Sequence, residues 1–312
     1  MTELIFNADD FGLSPSANRS IVACARAGLL KSASLMVTHH SAEDAVRLVD
    51  SLDEPIRLGL HFCLTSGRAV SPATSIPLLA APDGRFKNGF LSLLRLLTSS
   101  CRAEVSAQVA LEFEAQYRRF ERLLSLAPRT TADHLDSHQH IHVFPPMMKL
   151  FGQKAQQAGL VLRIPSEPVI CVARLFRPPV LSRAGGYAKK RILDHFIHKT
   201  PEAFASAPIY FGVIDSGRMD CGAINAVLDA LPRLLKRKKE KRQVELNLHP
   251  WKIAGEKEIV PQYASAADRA FGNSPLREEE FNALVKHAPQ IQAKMSDLGF
   301  TTSYFRIPAR RR

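Results

Sequence analysis

The chain has 312 residues, 46% of them hydrophobic and 23% charged, with a formal net charge of +12. That is ordinary globular composition, with length enough for one large core or two smaller ones. No apolar run reaches the roughly 18 residues that a membrane helix needs, and Met1-Thr2-Glu3-Leu4-Ile5-Phe6 lacks the basic-then-apolar pattern of a secretory signal. The five cysteines are scattered without CxxC spacing, which argues against a disulfide framework or a thiolate zinc site and points to a reducing cytoplasm.

In chain order, Leu4-Ile5-Phe6-Asn7 reads as a strand and Ser16 to Ala27 as an amphipathic helix stopped by Gly28. Ala33 to Val37 and Arg57 to Leu64 read as further strands, with a helix from Ser41 to about Leu52 between them. Turn signals at Ser71-Pro72 and Pro82-Asp83-Gly84 mark an irregular stretch, Thr65 to Lys87, long enough to lie as a lid over a cleft. A helix from Arg102 to Leu126, a strand from Thr131 to His138 and a helix from Pro146 to Ala158 follow. Leu160 to Ile164, Pro208 to Val213 and Gln243 to Leu248 read as strands. Helices are expected near Lys189 to His198 and Ala223 to Lys238, with poor patterning between Pro168 and Pro208. The last helix, near Arg277 to Leu298, precedes a strand at Thr302 to Ile307.

Strands alternating with helices imply a parallel sheet with crossover helices. The number of units suits an α/β fold of one domain over residues 1–308, a closed or incomplete (β/α) barrel, followed by a basic tail at 309–312. A doubly wound open sheet is the main rival. The basic run Arg233 to Arg242 reads as a solvated helix end. No aromatic residues interleave with it as stacking platforms, so no nucleic acid is expected, while weak contact with an anionic membrane surface and a homodimer stay compatible.

The informative polar residues fall where strands end. Asp9 and Asp10 follow the first strand, His61 lies within Leu58-Gly59-Leu60-His61-Phe62, and His249 follows Val244 to Leu248. In a (β/α) barrel those ends form one face, where active sites are built. Adjacent aspartates near a core need compensation, either from a cation or by capping the next helix. His134, Asp136, His138, His140 and His142 recur with period two, which on an extended segment puts them all on one face. Such a row suits one metal ligand with a carboxylate orienting an imidazole from behind. Spacing alone does not say which histidine is the ligand; His138 and His140 lie nearest the expected strand end. Nitrogen and oxygen donors without thiolate suit one divalent ion, zinc or magnesium. Asp9 is then the candidate base and His249 the candidate acid. Arg163, His140 and Asp136 are candidates for substrate contact, Arg163 equally for a structural salt bridge. His39 and His40, just after a strand, are further candidates for the cleft wall.

The segments Asn7-Ala8-Asp9-Asp10-Phe11-Gly12-Leu13-Ser14, Gly59-Leu60-His61-Phe62-Cys63-Leu64-Thr65-Ser66-Gly67 and His134 through His142 resemble, in order, the YdjC-like carbohydrate deacetylases. That family includes chitooligosaccharide deacetylases and a branch associated with hopanoid biosynthesis. The resemblance is firm over residues 1 to 165 and patchier beyond. It implies a β/α barrel and hydrolysis of an N-acetyl group from an amino sugar. By position it implies Asp10, His61 and His138 as metal ligands, Asp9 as base and His249 as acid. The sequence departs from the pattern at Trp251, where a small residue such as glycine is expected after His249-Pro250. A metal-dependent amidase or phosphoesterase acting on a non-sugar substrate is the alternative, and a non-enzymatic binding protein the remaining rival.

Overall fold

Leu4, Ile5, Phe6 and Ala8 are fully buried, and the strand they build, β1 (Thr2–Phe11), is the centre of the fold. One face of it, Leu4, Phe6 and Ala8, joins the main core with the helices, while Ile5 on the other face packs with Val161 and Phe305. The computed structural model describes residues 2–169, 180–199, 207–237, 243–252, 270–271 and 274–306. The remaining strands are β2 (Ser32–Leu35), β3 (Arg57–Phe62), β4 (Ala132–Ser137), β5 (Val161–Leu162), β6 (Ile209–Phe211), β7 (Val244–Leu248) and β8 (Phe300–Thr302). All pairings are parallel, in the order β5-β4-β3-β2-β1-β7-β6, with β8 on Thr2–Leu4 of β1. Among the described residues β5 and β6 do not pair, so the expected barrel is a half-barrel with its strand ends on one rim.

The helices are α1 (Pro15–Arg26), α2 (Ala42–Asp50), α3 (Phe90–Thr98), α4 (Arg102–Leu124), α5 (Met147–Ala158), α6 (Val180–Ile197), α7 (Cys221–Arg237), α8 (Leu276–Val285) and α9 (Ala288–Asp297). Helix α1 starts where the Ser14 hydroxyl caps the amide of Ala17 and proline occupies the first turn. On β3, Leu58, Leu60 and Phe62 enter the core while Gly59 and His61 alternate to the other face. Phe62 meets Phe113 of α4 and Phe151 of α5, each at 5.4 Å between ring centres. Each such buried ring contributes about 1.5–3 kcal/mol.

Several sequence expectations change. Helix α3 was not anticipated. The single last helix divides into α8 and α9, with Pro289 in the first turn of α9. The final strand starts earlier, at Phe300, because it pairs with Thr2–Leu4. The stretch from Thr65 to Lys87 is not a lid over the cavity. One face of α4 grips the backbone from Cys63 onward: Gln116 bonds both the amide and the carbonyl of Cys63, at 3.1 and 2.7 Å. Glu112 accepts the amides of Val70 and Ser71, and Gln108 that of Leu78. Of the basic run, Arg233 and Lys236 are exposed on α7, whereas residues 238–242, like the 309–312 tail, lie outside the described residues.

Candidate metal and catalytic centre

The register of β1 against β2 shifts between Ala8 and Phe11, and Asp10 takes a left-handed conformation with φ 64°. In a regular strand adjacent side chains diverge; a bulge with a left-handed residue turns the second one back. Aspartate is among the few non-glycine residues that tolerate this conformation. Gly12 follows at φ 88°, where a Cβ would come within 2.7 Å of the Met36 carbonyl oxygen. Asp9 and Asp10 thereby serve one site.

Asp10 Oδ1 lies 3.1 Å from His138 Nδ1 and 3.7 Å from His61 Nε2. Each of the three residues offers a ligand atom, all within 4.8 Å of one another, and all three residues are buried. His61 Nδ1 faces Asp136 Oδ1 at 2.9 Å. The carboxylate can only accept, so Nδ1 carries the hydrogen and Nε2 turns its lone pair toward Asp10. Burial pushes the His61 imidazole down to about 4, against the pull of Asp9 and Asp10, so it is neutral at physiological pH, as a ligand must be. Burial opposes ionisation of Asp10, but His138 and Arg277 hold its carboxyl well below the ordinary range. Among the described residues Oδ1 has no well-directed hydrogen-bond donor, although it is buried. Two imidazole nitrogens around a buried carboxylate oxygen fit a divalent cation.

Asp9 is built differently. Its Oδ1 accepts from Arg163 at 2.8 Å and Asn7 at 2.9 Å, and its Oδ2 from Asn247 at 2.8 Å. His249 Nε2 lies 3.8 Å from Oδ2. Burial would raise the Asp9 carboxyl, but Arg163 and then His61 and His249 hold it well below the carboxylate range. Arg163, 1% exposed, also binds Asp136, Glu245 and Asn247. The 1% exposure of Asp136 and its bond to His61 place it behind the centre too. Neither residue reaches the cavity wall where the sequence reading expected a substrate contact; each reaches the site only through Asp9 or His61.

The cavity, about 370 Å³, is lined by Asp9, His61, His138 and His249. His140 lines it as well, at φ 62° and 3.5 Å from the Tyr210 hydroxyl. The histidine row is therefore not one face. β4 ends at Ser137, whose hydroxyl accepts the His142 amide, and Gln139 and His140 are both left-handed, so the chain coils instead of extending. His134 turns into the core against Ser34 and Asp133, and His142 against Ser137 and the Arg163 carbonyl. His39 is buried beside Ser66 and His40 is exposed; neither lines the cavity.

The rest of the wall comes from α6 and the stretch after β6, where the expected helix began only at Lys189 and the expected strand ended at Val213. Gly185, Gly186 and Lys189 of α6 face Val213, Ile214, Ser216 and Arg218 across it. A Cβ on Gly186 would come within 2.3 Å of the Ile214 carbonyl oxygen, so glycine permits that approach. Burial pulls Lys189 down to about 8 despite Asp9 and Asp10. Glu167 accepts the amides of Val213 and Ile214 and is pushed up to about 7 by burial. Trp251, the departure noted in the sequence, is 1% exposed, packed with Leu13, Ala17, Met36 and Cys63, and bonded to the Ser16 hydroxyl.

Comparison with known proteins agrees with this architecture. A family described as "YdjC-like protein" matches residues 3–293. A chitooligosaccharide deacetylase of Proteus mirabilis (strain HI4320) is 35% identical over 161 residues, 52% of this chain and 58% of the relative. The match thus spans little more than half the length of that relative. A crystal structure from Enterococcus faecalis V583, of a protein named for cellobiose-phosphate cleavage, superposes with a TM-score of 0.66 over 97% of both chains at 18% identity. At that identity the likeness concerns the fold alone.

Proposed function

The chain belongs to the YdjC-like family, and on that premise we propose that it is a metal-dependent hydrolase that removes the acetyl group from an N-acetylated amino sugar. The observation that carries this reading is that His61 and His138, which line one cavity with Asp9 and His249, group with the buried Asp10 as possible ligands. The deacetylase name of the Proteus mirabilis relative supports the amide as the bond cleaved.

Asp10, His61 and His138 would hold the ion, zinc or magnesium. When bound, such an ion supplies Lewis-acid polarisation of the acetyl carbonyl and acidifies water. Asp9 takes the proton of the attacking water. Arg163 and Asn247 hold the Asp9 carboxylate in its ionised form and in one orientation. His249 is held down to about 4 by burial, so its resting ring is neutral. The proton it delivers to the departing nitrogen is then one it first receives, and the Asp9 carboxyl, whose Oδ2 lies 3.8 Å from Nε2, is the neighbouring source. Asp136 keeps the His61 tautomer fixed. Acetate and a free amine leave.

Among the described residues no helix is long and apolar enough to cross a membrane. The cysteine pattern makes the cytoplasm our proposed compartment. A second reading, a phosphoesterase, draws on Lys189 and Arg218 in the cavity wall, which would suit an anionic group. Acetate release from N-acetylglucosamine oligomers, with chelator and with metal added back, tests the first reading. Release that is absent from every oligomer, or indifferent to chelator, overturns it. Phosphate release by a chain carrying two ions would favour the second.

A further inference from the structure

Among the described residues His249 lacks the tether that usually fixes a working imidazole. Such a ring is ordinarily oriented by a hydrogen bond on its second nitrogen. Here Nδ1 is buried, yet among the described residues nothing hydrogen-bonds it. What holds residue 249 is its peptide. Its backbone N–H donates to Glu280, and its carbonyl accepts from Arg277 Nε at 2.7 Å. Both grips come from the first turns of α8, from side chains 0% and 1% exposed.

The same two side chains reach the rest of the centre. Glu280 Oε1 accepts the Met219 amide at 2.7 Å and so closes the far end of the cavity-lining segment that begins at Val213. Arg277 Nη2 donates to Asp10 Oδ2 at 3.3 Å, which leaves Oδ1 facing His61 and His138. The guanidinium lies 4.8 Å from the Trp251 ring centre and 4.7 Å from that of Phe271. Phe271 in turn meets the His249 ring edge-on at 5.1 Å. The aromatic pair thus fixes the Arg277 fork, and the fork fixes Asp10 and His249 relative to each other.

From this geometry we infer that Arg277 and Glu280 are the positioning pair of the centre: α8 sets where the His249 ring stands by holding its peptide from both sides. The kinetic consequence rests on the hydrolase reading above; the placement of the ring does not. A misplaced acid leaves ground-state binding intact and slows turnover.

The test compares Glu280→Gln with Glu112→Gln, in chain labelled with 15N-histidine. Glu112 is a buried carboxylate that likewise accepts two backbone amides, but those of Val70 and Ser71, not that of His249. Gln at 280 keeps the volume and loses one acceptor. The expected result is that His249 ring signals, identified with His249→Gln, shift and broaden in Glu280→Gln and stay in place in Glu112→Gln. With an N-acetylglucosamine oligomer, kcat falls at least roughly tenfold and KM moves less than about threefold in Glu280→Gln alone. If Glu280→Gln does not fold, Arg277→Lys, which removes the Nε donor to the 249 carbonyl, is read by the same signals. Ring signals unmoved in the α8 variant, or moved equally by Glu112→Gln, overturn the proposal. If wild-type chain releases no acetate, the functional reading fails while the ring signals still decide this one.

Discussion

Replacing Arg163 by methionine preserves most of the side-chain length and removes the one cation that Asp9, Asp136 and Glu245 share. All four residues are buried to within 2% of completeness. Removing one partner of a buried ion pair costs about 3–5 kcal/mol, because the other charge stays behind without water. An unfolding entropy of about 2.1 cal/mol/K per residue gives about 0.66 kcal/mol/K for a chain of 312 residues. The melting temperature should therefore fall by about 5–8 °C at pH 7. The deficit should also depend on pH. The stranded carboxylates escape by taking protons on folding, so the variant binds protons that its unfolded chain has released, and its stability declines as pH rises. Lowering the pH from 7 to 5 recovers about 2.7 kcal/mol for each carboxylate neutralised, or about 4 °C. Calorimetry of both chains at the two pH values, with chelator present, measures this directly. A variant melting within about 2 °C of the wild type at pH 7, or with the same deficit at pH 5, would refute the reasoning.

Asp9→Asn should keep the divalent ion and lose nearly all acetate release; full activity in that variant would remove Asp9 from the chemistry. His138→Ala should lose the ion by elemental analysis, whereas His140→Ala, which lies outside the Asp10–His61–His138 group, should keep it; the reverse pattern would exchange their roles. Glu167 titrates near 7 in the folded chain, above its ordinary 4.5, so between those values the folded state holds a proton that the unfolded state has lost. That contribution is complete at low pH and disappears as pH rises, so the stability advantage of wild type over Glu167→Gln should narrow from pH 5 to pH 8. A constant gap in melting temperature would mean that Glu167 is ionised throughout.

The strands that carry Asp9, Asp10, His61 and His249 were legible because each is an apolar run ending in titratable residues. The geometry that joins those residues was not. The turn at Asp10 needs a left-handed aspartate, which no periodicity signals. The row from His134 to His142 has the spacing of a strand, but the left-handed Gln139 and His140 coil it, and its four imidazoles do not share one task. Helix α3 lay hidden because its leucine-rich stretch follows turn residues. Arg277 and Glu280 sit in Leu276-Arg277-Glu278-Glu279-Glu280, a string of charges that reads as a solvated face, although two of its members are among the most buried polar groups of the fold. Only the surroundings of Arg277, with two aromatic rings and two acceptors from distant segments, reveal its place.

The row of Gln108, Glu112 and Gln116 along α4 touches the segment from Cys63 to Leu78 almost wholly through amide and carbonyl groups. Every amino acid but proline offers the same N–H at those positions. The anchoring therefore asks little of side-chain identity there, and the outward-facing residues of that segment are free to drift. New surface recognition can arise on it by mutation while the carboxylates and imidazoles beneath the neighbouring strand ends keep their spacing.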